Sequence, residues 1–238
     1  MISNNLTSSN KLLNHLSLSE YQQIAPYFQE VTLKAGQILY DPYDPITFAY
    51  FPLTAMISLV SIMENGATTE IGLIGNEGMI GLPIFLGGEY TTSQVIVQIA
   101  GTSLKIKAQI LKQEFAKGGT LQKILLLYTQ ARLTQIAQSA TCNRQHKIEA
   151  RLARWLLSVY DSVLIDELPL TQEFISNMLG VRRAGVTIAA NGLQKKSIIS
   201  YNRGKIVILD HEKLKETSCE CYRVVEEEFI RLIGARRG

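Results

Sequence analysis

Arg182, Arg183, Lys195, Lys196, Arg203 and Lys205 are the only charged side chains between Phe174 and Leu209. A stretch of one sign on short, rigid elements is what a phosphodiester backbone selects, because neutralising it releases bound counterions. The residue types also allow base reading. Arginine bonds guanine bidentately, asparagine and threonine bond base edges, and an apolar tip meets a thymine methyl. On this reading Arg183, Thr187, Ile188 and Asn191 face base edges. Arg182, Lys195, Lys196, Arg203, Lys205 and Thr171 hold phosphates, which sets register without reading sequence.

These side chains need short elements at fixed angles. Pro169 and Leu170 lead into Thr171, a side chain suited to capping a helix from Gln172 to Leu179, with Glu173 in its first turn. Gly180 follows as a residue able to take left-handed geometry. A second helix is expected from Arg182 or Arg183 to Gln194. Its inner face is Val186, Ala189, Ala190 and Leu193, and the small alanines allow a close crossing. Helix, tight glycine turn and helix make the helix-turn-helix pattern. Ile198 to Tyr201, an Asn202-Arg203-Gly204 turn and Lys205 to Leu209 add a two-stranded wing. The second helix then enters a major groove by its N-terminus. Before it, Ile148, Leu152, Trp155, Leu156 and Val159 mark an amphipathic helix over Gln145 to Tyr160.

The N-terminal half reads differently. An amphipathic helix is expected over Asn14 to Phe28, capped by Ser17 or Ser19. Short β-prone runs follow at Phe48–Phe51, Ala55–Ile62, Thr68–Leu73 and Gln94–Ile99. They are separated by prolines, Asn65-Gly66 and Gly87-Gly88, a pattern of sandwich or small barrel. Asn65-Gly66 is expected to close a hairpin with positive φ at both residues. A short helix at Lys107–Phe115 ends at Lys117-Gly118-Gly119. From Leu121 to about Thr141 there is no Gly or Pro, and Thr120 is positioned to cap. Leu126, Leu133, Ile136 and Ala140 form a coiled-coil-like seam. Leu121, Ile124, Leu125 and Tyr128 form a second stripe, so the helix needs two partners: its own domain and another chain.

Composition agrees with a globular binding protein. The chain has 238 residues, 46% hydrophobic and 19% charged, with a net charge of +3. From Cys142 onward there are sixteen Lys and Arg against twelve Asp and Glu, and before it eight against nine. The basic character is therefore C-terminal, as in a separate DNA-binding module. No P-loop, nucleophile elbow or metal-ligand spacing is present, which argues against an enzyme. No apolar run is long enough for a membrane span. No secretory pattern follows the Ser/Asn-rich start. Three cysteines, an odd number, point to a reducing cytoplasm rather than a disulfide framework. The Gly234–Gly238 tail, with Arg236 and Arg237, reads as a frayed end.

The chain resembles the cyclic-AMP receptor protein/Fnr family of bacterial transcription regulators along nearly its whole length. The matching stretches are Ala49-Tyr50-Phe51-Pro52, Gly72 to Gly81, Leu170 to Arg183, and Tyr201 to Ile206. The resemblance implies an α+β chain in three parts. These are a cyclic-nucleotide-binding-like β-roll (jelly roll) over residues 1–117, a long dimerisation helix over 118–143, and a winged helix-turn-helix over 144–238. It implies a homodimer on two-fold symmetric double-stranded DNA, RNA polymerase as a partner if the protein activates, and a small-molecule effector. The competing expectation is a scaffold with a degenerate winged helix and a partner-binding β-roll.

The departures from the family narrow the reading. Nucleotide-binding members place a glutamate on the ribose and an Arg-Ser pair on the cyclic phosphate. Aligned on Gly81, those positions are Leu82, Thr92 and Ser93. No Arg or Lys lies between Leu82 and Thr92, so cyclic AMP is not the expected effector. Readers of TGTGA-type half-sites carry an Arg-Glu pair and a further Arg. Arg183 matches the first, but Ala184 and Ile188 replace the others, so that half-site does not transfer. Fnr-like oxygen sensors ligate an iron–sulfur cluster through N-terminal cysteines, and none precedes Cys142. Cys219-x-Cys221 with a distant His211 is not a closed four-ligand set. His15 and His146 read as ordinary histidines. No metal and no cofactor is expected.

Overall fold

The computed structural model describes residues 9–163 and 167–234. The first residues of the Ser/Asn-rich start and the arginines of the tail lie outside that range. The sandwich forms from two antiparallel sheets. One orders β1 (Gln29–Leu33), β7 (Gly101–Lys107) and β3 (Phe48–Pro52). The other orders β2 (Ile38–Tyr40), β6 (Gln94–Ile99), β4 (Met56–Ile62) and β5 (Thr68–Ile74). Alternating burial along β6 turns Val95, Val97 and Ile99 inward.

The β4–β5 hairpin closes otherwise than expected. Gly66 has φ +79° but Asn65 does not share a positive φ. The Gly66 N–H donates to the Met63 carbonyl at 2.8 Å, and the Asn65 side chain accepts from Ala67 N at 3.0 Å. This is a three-residue loop in which one left-handed glycine suffices.

The expected Asn14–Phe28 helix is shorter. The regular part is α1 (Leu18–Ile24), flanked by single 3₁₀ turns, and Ser17 caps it through a capping box with Glu20. The second Glu20 oxygen accepts from the N–H groups of Thr120 at 2.6 Å and Leu121 at 3.3 Å. Glu20, not Thr120, thus caps the long helix from a hundred residues away. Its carboxyl is held down at about 2, first by the Ser17 hydroxyl and then by the Thr120 and Leu121 groups. After α2 (Pro83–Leu86) and α3 (Ala108–Ala116), that long helix, α4, runs Gly119–Gln145. Its Leu121, Ile124, Leu125 and Tyr128 stripe is buried in the core of the roll, as expected.

α5 (Ile148–Val163), β8 (Glu167–Leu168), α6 (Gln172–Leu179), α7 (Arg183–Lys195), β9 (Ile199–Asn202) and β10 (Lys205–Ile208) build the C-terminal module. The wing is three-stranded, because β8 pairs with β10. Two residues of extended chain carry too little pattern to be read as a strand. α8 (His211–Thr217) and α9 (Cys221–Ile233) follow. The last helix of the 144–238 span packs against the roll. Val225, Phe229 and Ile233 of α9 join the core of the roll, and the Phe229 ring meets Tyr128 edge-on at 6.3 Å. Conversely, Met56, Val60, Leu73 and Ile99 of the roll share the core of the winged module. No helix among the described residues is long and apolar enough to cross a membrane.

Candidate nucleic-acid interface

The helix-turn-helix is set by local chemistry. The Thr171 hydroxyl accepts from Phe174 N at 3.1 Å and starts α6. Gly180 ends it at φ +60°, ψ +42°, the left-handed cap a side chain would strain. Val186, Ala189, Ala190 and Leu193 are buried under α7. Gly185 and Gly192 also bring α5 close. A Cβ on them would stand 2.8 Å from Ile148 Cδ1 and 2.6 Å from Glu149 Oε2.

The outer face of α7 presents Arg183, Ala184, Ile188 and Asn191, with Ile188 75% exposed. Arg183, Arg203, Thr171, Gln172, Tyr201 and Gly204 line an open cleft between the start of α7 and the wing. Burial pushes the Tyr201 hydroxyl up, and the nearby Arg183 charge opposes that shift. Tyr201 is therefore a neutral donor at physiological pH. Among the described residues no carboxylate pairs with Arg182, Arg183, Lys195 or Arg203.

Three candidates are engaged elsewhere. Lys196 Nζ lies 2.5 Å from Glu149 on α5, and Lys205 Nζ lies 2.6 Å from Glu167 on β8. Each of these two expected phosphate contacts thus has a carboxylate partner within the module. The Thr187 hydroxyl donates to Gln172 Oε1 at 2.9 Å or to the Arg183 carbonyl at 3.1 Å. The first of these bonds joins α7 to α6. Carboxylates outside the acid-free stretch were the missed signal.

The wing tip is strained. Arg203 has φ +48° and Gly204 φ +78°, while Lys205 pairs with Asn202, so both residues of a two-residue loop are left-handed. A non-glycine residue there costs about 1–2 kcal/mol. Replacing it by glycine also loosens the unfolded chain, by about 0.4–1 kcal/mol. Arg203→Gly is therefore expected to raise stability by about 0.5–1 kcal/mol in urea melts. It is also expected to weaken DNA binding and reduce the salt slope by about 1 per half-site. An unchanged slope would show that Arg203 touches no phosphate.

In the roll, Tyr40, Leu59, Ile74, Met79, Gly81, Leu82, Val95 and others line an apolar cavity of about 180 Å³. Thr91 is on its wall, whereas Thr92 is exposed and Ser93 is buried with its N–H on Thr91 Oγ1. A guanidinium does reach the wall, but from α4: Arg132, bonded to the Leu73 carbonyl at 2.9 Å and to Gln135. Tyr128 bonds both the N–H and the carbonyl of Met79 at 3.1 Å, in a loop where Gly78 leaves room for its ring. The helix thus grips the end of β5 at Leu73 and the loop after it at Met79.

Residues 30–117 match the cyclic nucleotide-binding domain family, and residues 150–217 match the Crp-like helix-turn-helix domain family. The chain belongs to the Crp/Fnr family of transcription regulators. It is similar to the global nitrogen regulator of a Nostoc species, 22% identical over 188 residues, which are 74% of this chain and 83% of that protein. FixK2 from Bradyrhizobium japonicum has the same fold, with a TM-score of 0.70 at 15% identity over 81% of this chain and 98% of that one. A crp/fnr-family transcriptional regulator from Eubacterium rectale gives 0.68 at 20% identity over 89% of this chain and 99% of that one. The chain is a DNA-binding transcription regulator with a Crp-like helix-turn-helix domain, so the scaffold expectation is set aside.

The Crp/Fnr chain leaves the α4 seam uncovered. Leu126, Leu133, Ile136 and Ala140 are all exposed, and Ile136 also lines the cavity. Its three cysteines, read as incidental, lie together in the fold.

Proposed function

We propose that the protein regulates transcription as a cytoplasmic homodimer on two-fold symmetric sites, with one α7 per half-site and an effector other than cyclic AMP. The observation that carries this reading is the set Arg182, Arg183, Lys195 and Arg203 along α7 and the wing, which has no carboxylate partner among the described residues. Fixed cations without internal partners are available to phosphates and guanines at no cost in broken ion pairs. Arg183 reads a base. Asn191 and Ile188 flank it, and Thr171, whose hydroxyl proton remains free to donate, takes a phosphate. The exposed seam supplies the second copy. Action is by binding rather than catalysis, with RNA polymerase as a further partner if the protein activates.

Leu82 puts a hydrocarbon where a ribose needs an acceptor. The cavity of about 180 Å³ is below the ~300 Å³ lower end of ordinary ligand pockets. Arg132 is tied to Leu73 and Gln135. Calorimetry with cyclic AMP is therefore expected to show no binding at micromolar concentrations. Micromolar or tighter affinity would overturn that part. Because Ile136 borders both cavity and seam, a smaller effector there would shift the packing of two α4 helices and so the spacing of two α7 helices. Purified protein mixed with genomic fragments should recover a symmetric motif with half-site centres about 34 Å apart. Recovery without any shared motif would refute sequence-specific regulation.

A further inference from the structure

α4 ends beside the turn between α8 and α9. Cys142 and His146 stand one helical turn apart at that end, and Cys219 and Cys221 flank Glu220 across from them. One ligand atom from each of the four lies within 4.8 Å of all the others. Cys142 Sγ is 3.4 Å from Cys219 Sγ, and Cys221 Sγ is 3.5 Å from His146 Nδ1. All three cysteines are buried, packed with Ala150 as a small cluster of their own.

The distances have a simple meaning. Around a tetrahedral zinc, with Zn–S near 2.3 Å and Zn–N near 2.0–2.1 Å, neighbouring sulfurs stand about 3.8 Å apart and a sulfur and nitrogen about 3.6 Å. The four donors surround one point at that scale. A disulfide needs about 2.05 Å and would use only two of the thiols. The imidazole is already oriented for the task. Its other nitrogen, Nε2, lies 3.1 Å from the Glu220 carboxylate, which aims Nδ1 at the sulfurs. Gln138 Nε2 donates to Cys221 Sγ at 3.2 Å, a bond that a thiolate accepts well. Arg151 and Arg154 on α5 are within electrostatic reach of these sulfurs.

We propose that Cys142, His146, Cys219 and Cys221 form a structural zinc site of the Cys₃His type, fastening the α8–α9 turn to the end of α4. On binding, the three thiols lose their protons to solvent, and Zn²⁺ with three thiolates and a neutral imidazole leaves a net charge of −1. The two arginines offset that charge. The site sits where α4 hands over to α5, so it fixes the direction in which the winged module leaves the spine. It also anchors α9, whose far end is in the core of the roll. His211, the partner that sequence spacing offered, takes no part: it lies 3.8 Å from Asp161.

The test uses the full chain, expressed with zinc, purified under reductant and dialysed against metal-free buffer. Elemental analysis is expected to find one zinc per chain. Cobalt(II) in its place should give tetrahedral visible bands and a sulfur-to-cobalt band in the near ultraviolet. Cys142→Ser and Cys221→Ser should lose both. If those variants do not fold, Glu220→Gln keeps all four ligands and should weaken zinc affinity about 10–100-fold in a chelator competition. Stripping the ion should lower the melting midpoint, and an unmoved midpoint would remove the fastening role. A metal-free chain, zinc retained by both serine variants, or a Cys142–Cys219 disulfide in the denatured thiol count would each overturn the site.

Discussion

Leu133→Asp is expected to make the protein monomeric and to lower its affinity for a symmetric site about 10²–10⁴-fold. The size follows from geometry. In a dimer, binding of one winged module places the second at its half-site, so the second event is intramolecular. A monomer loses that gain without losing any contact of its own. Leu133 suits the test because it is 64% exposed in the single chain. It touches neither the core nor the cavity wall, unlike Ile136. The aspartate therefore leaves the fold of each copy intact but buries a carboxylate opposite apolar neighbours when two seams meet. Sedimentation gives the mass, circular dichroism the fold, and a gel shift the affinity. A variant that stays dimeric would exclude this stripe as the seam.

Arg183→Ala should cost about 1–3 kcal/mol of specific binding, or roughly 5- to 150-fold per half-site, and relax the preference at one base pair. Non-specific affinity should change little. The expectation rests on position. Arg183 opens α7, is exposed, lines the cleft facing the wing, and has no carboxylate partner among the described residues. Arg182 beside it precedes the helix as its N-cap and makes no side-chain capping bond. Binding to a matched site and to random DNA, each at two salt concentrations, separates the roles. Equal losses on both, with a salt slope reduced by about 1, would make Arg183 a phosphate contact instead.

The elements around α6 and α7 were legible because their signals are local. A capping threonine, a left-handed glycine and a buried face of Val186, Ala189, Ala190 and Leu193 lie within about twenty-five residues, and each acts on its own neighbours. The two stripes of α4 were legible for the same reason, since a helical period repeats without reference to the rest of the chain. The wing's third strand was not, because β8 exists only as a partner for β10.

The site was legible in residue type but not in allegiance. A run without acids looks wholly available to DNA. Yet Lys196 and Lys205 are claimed by Glu149 and Glu167 from outside the run. The cavity followed the same course. Gly81 and Leu82 line it, while its guanidinium comes from Arg132, about forty residues beyond the Thr92 position that spacing points to.

By itself, then, the amino-acid order determined the kinds of element, their succession and the basic character of the last third, since caps, periods and charge are properties of short windows. Only the tertiary structure decided which distant groups meet: Glu20 at the start of α4, α9 against the roll, and Cys142 beside Cys219 at 77 residues' separation. Such meetings depend on how whole helices pack, and packing answers to buried area and shape across the domain, which no local spacing encodes.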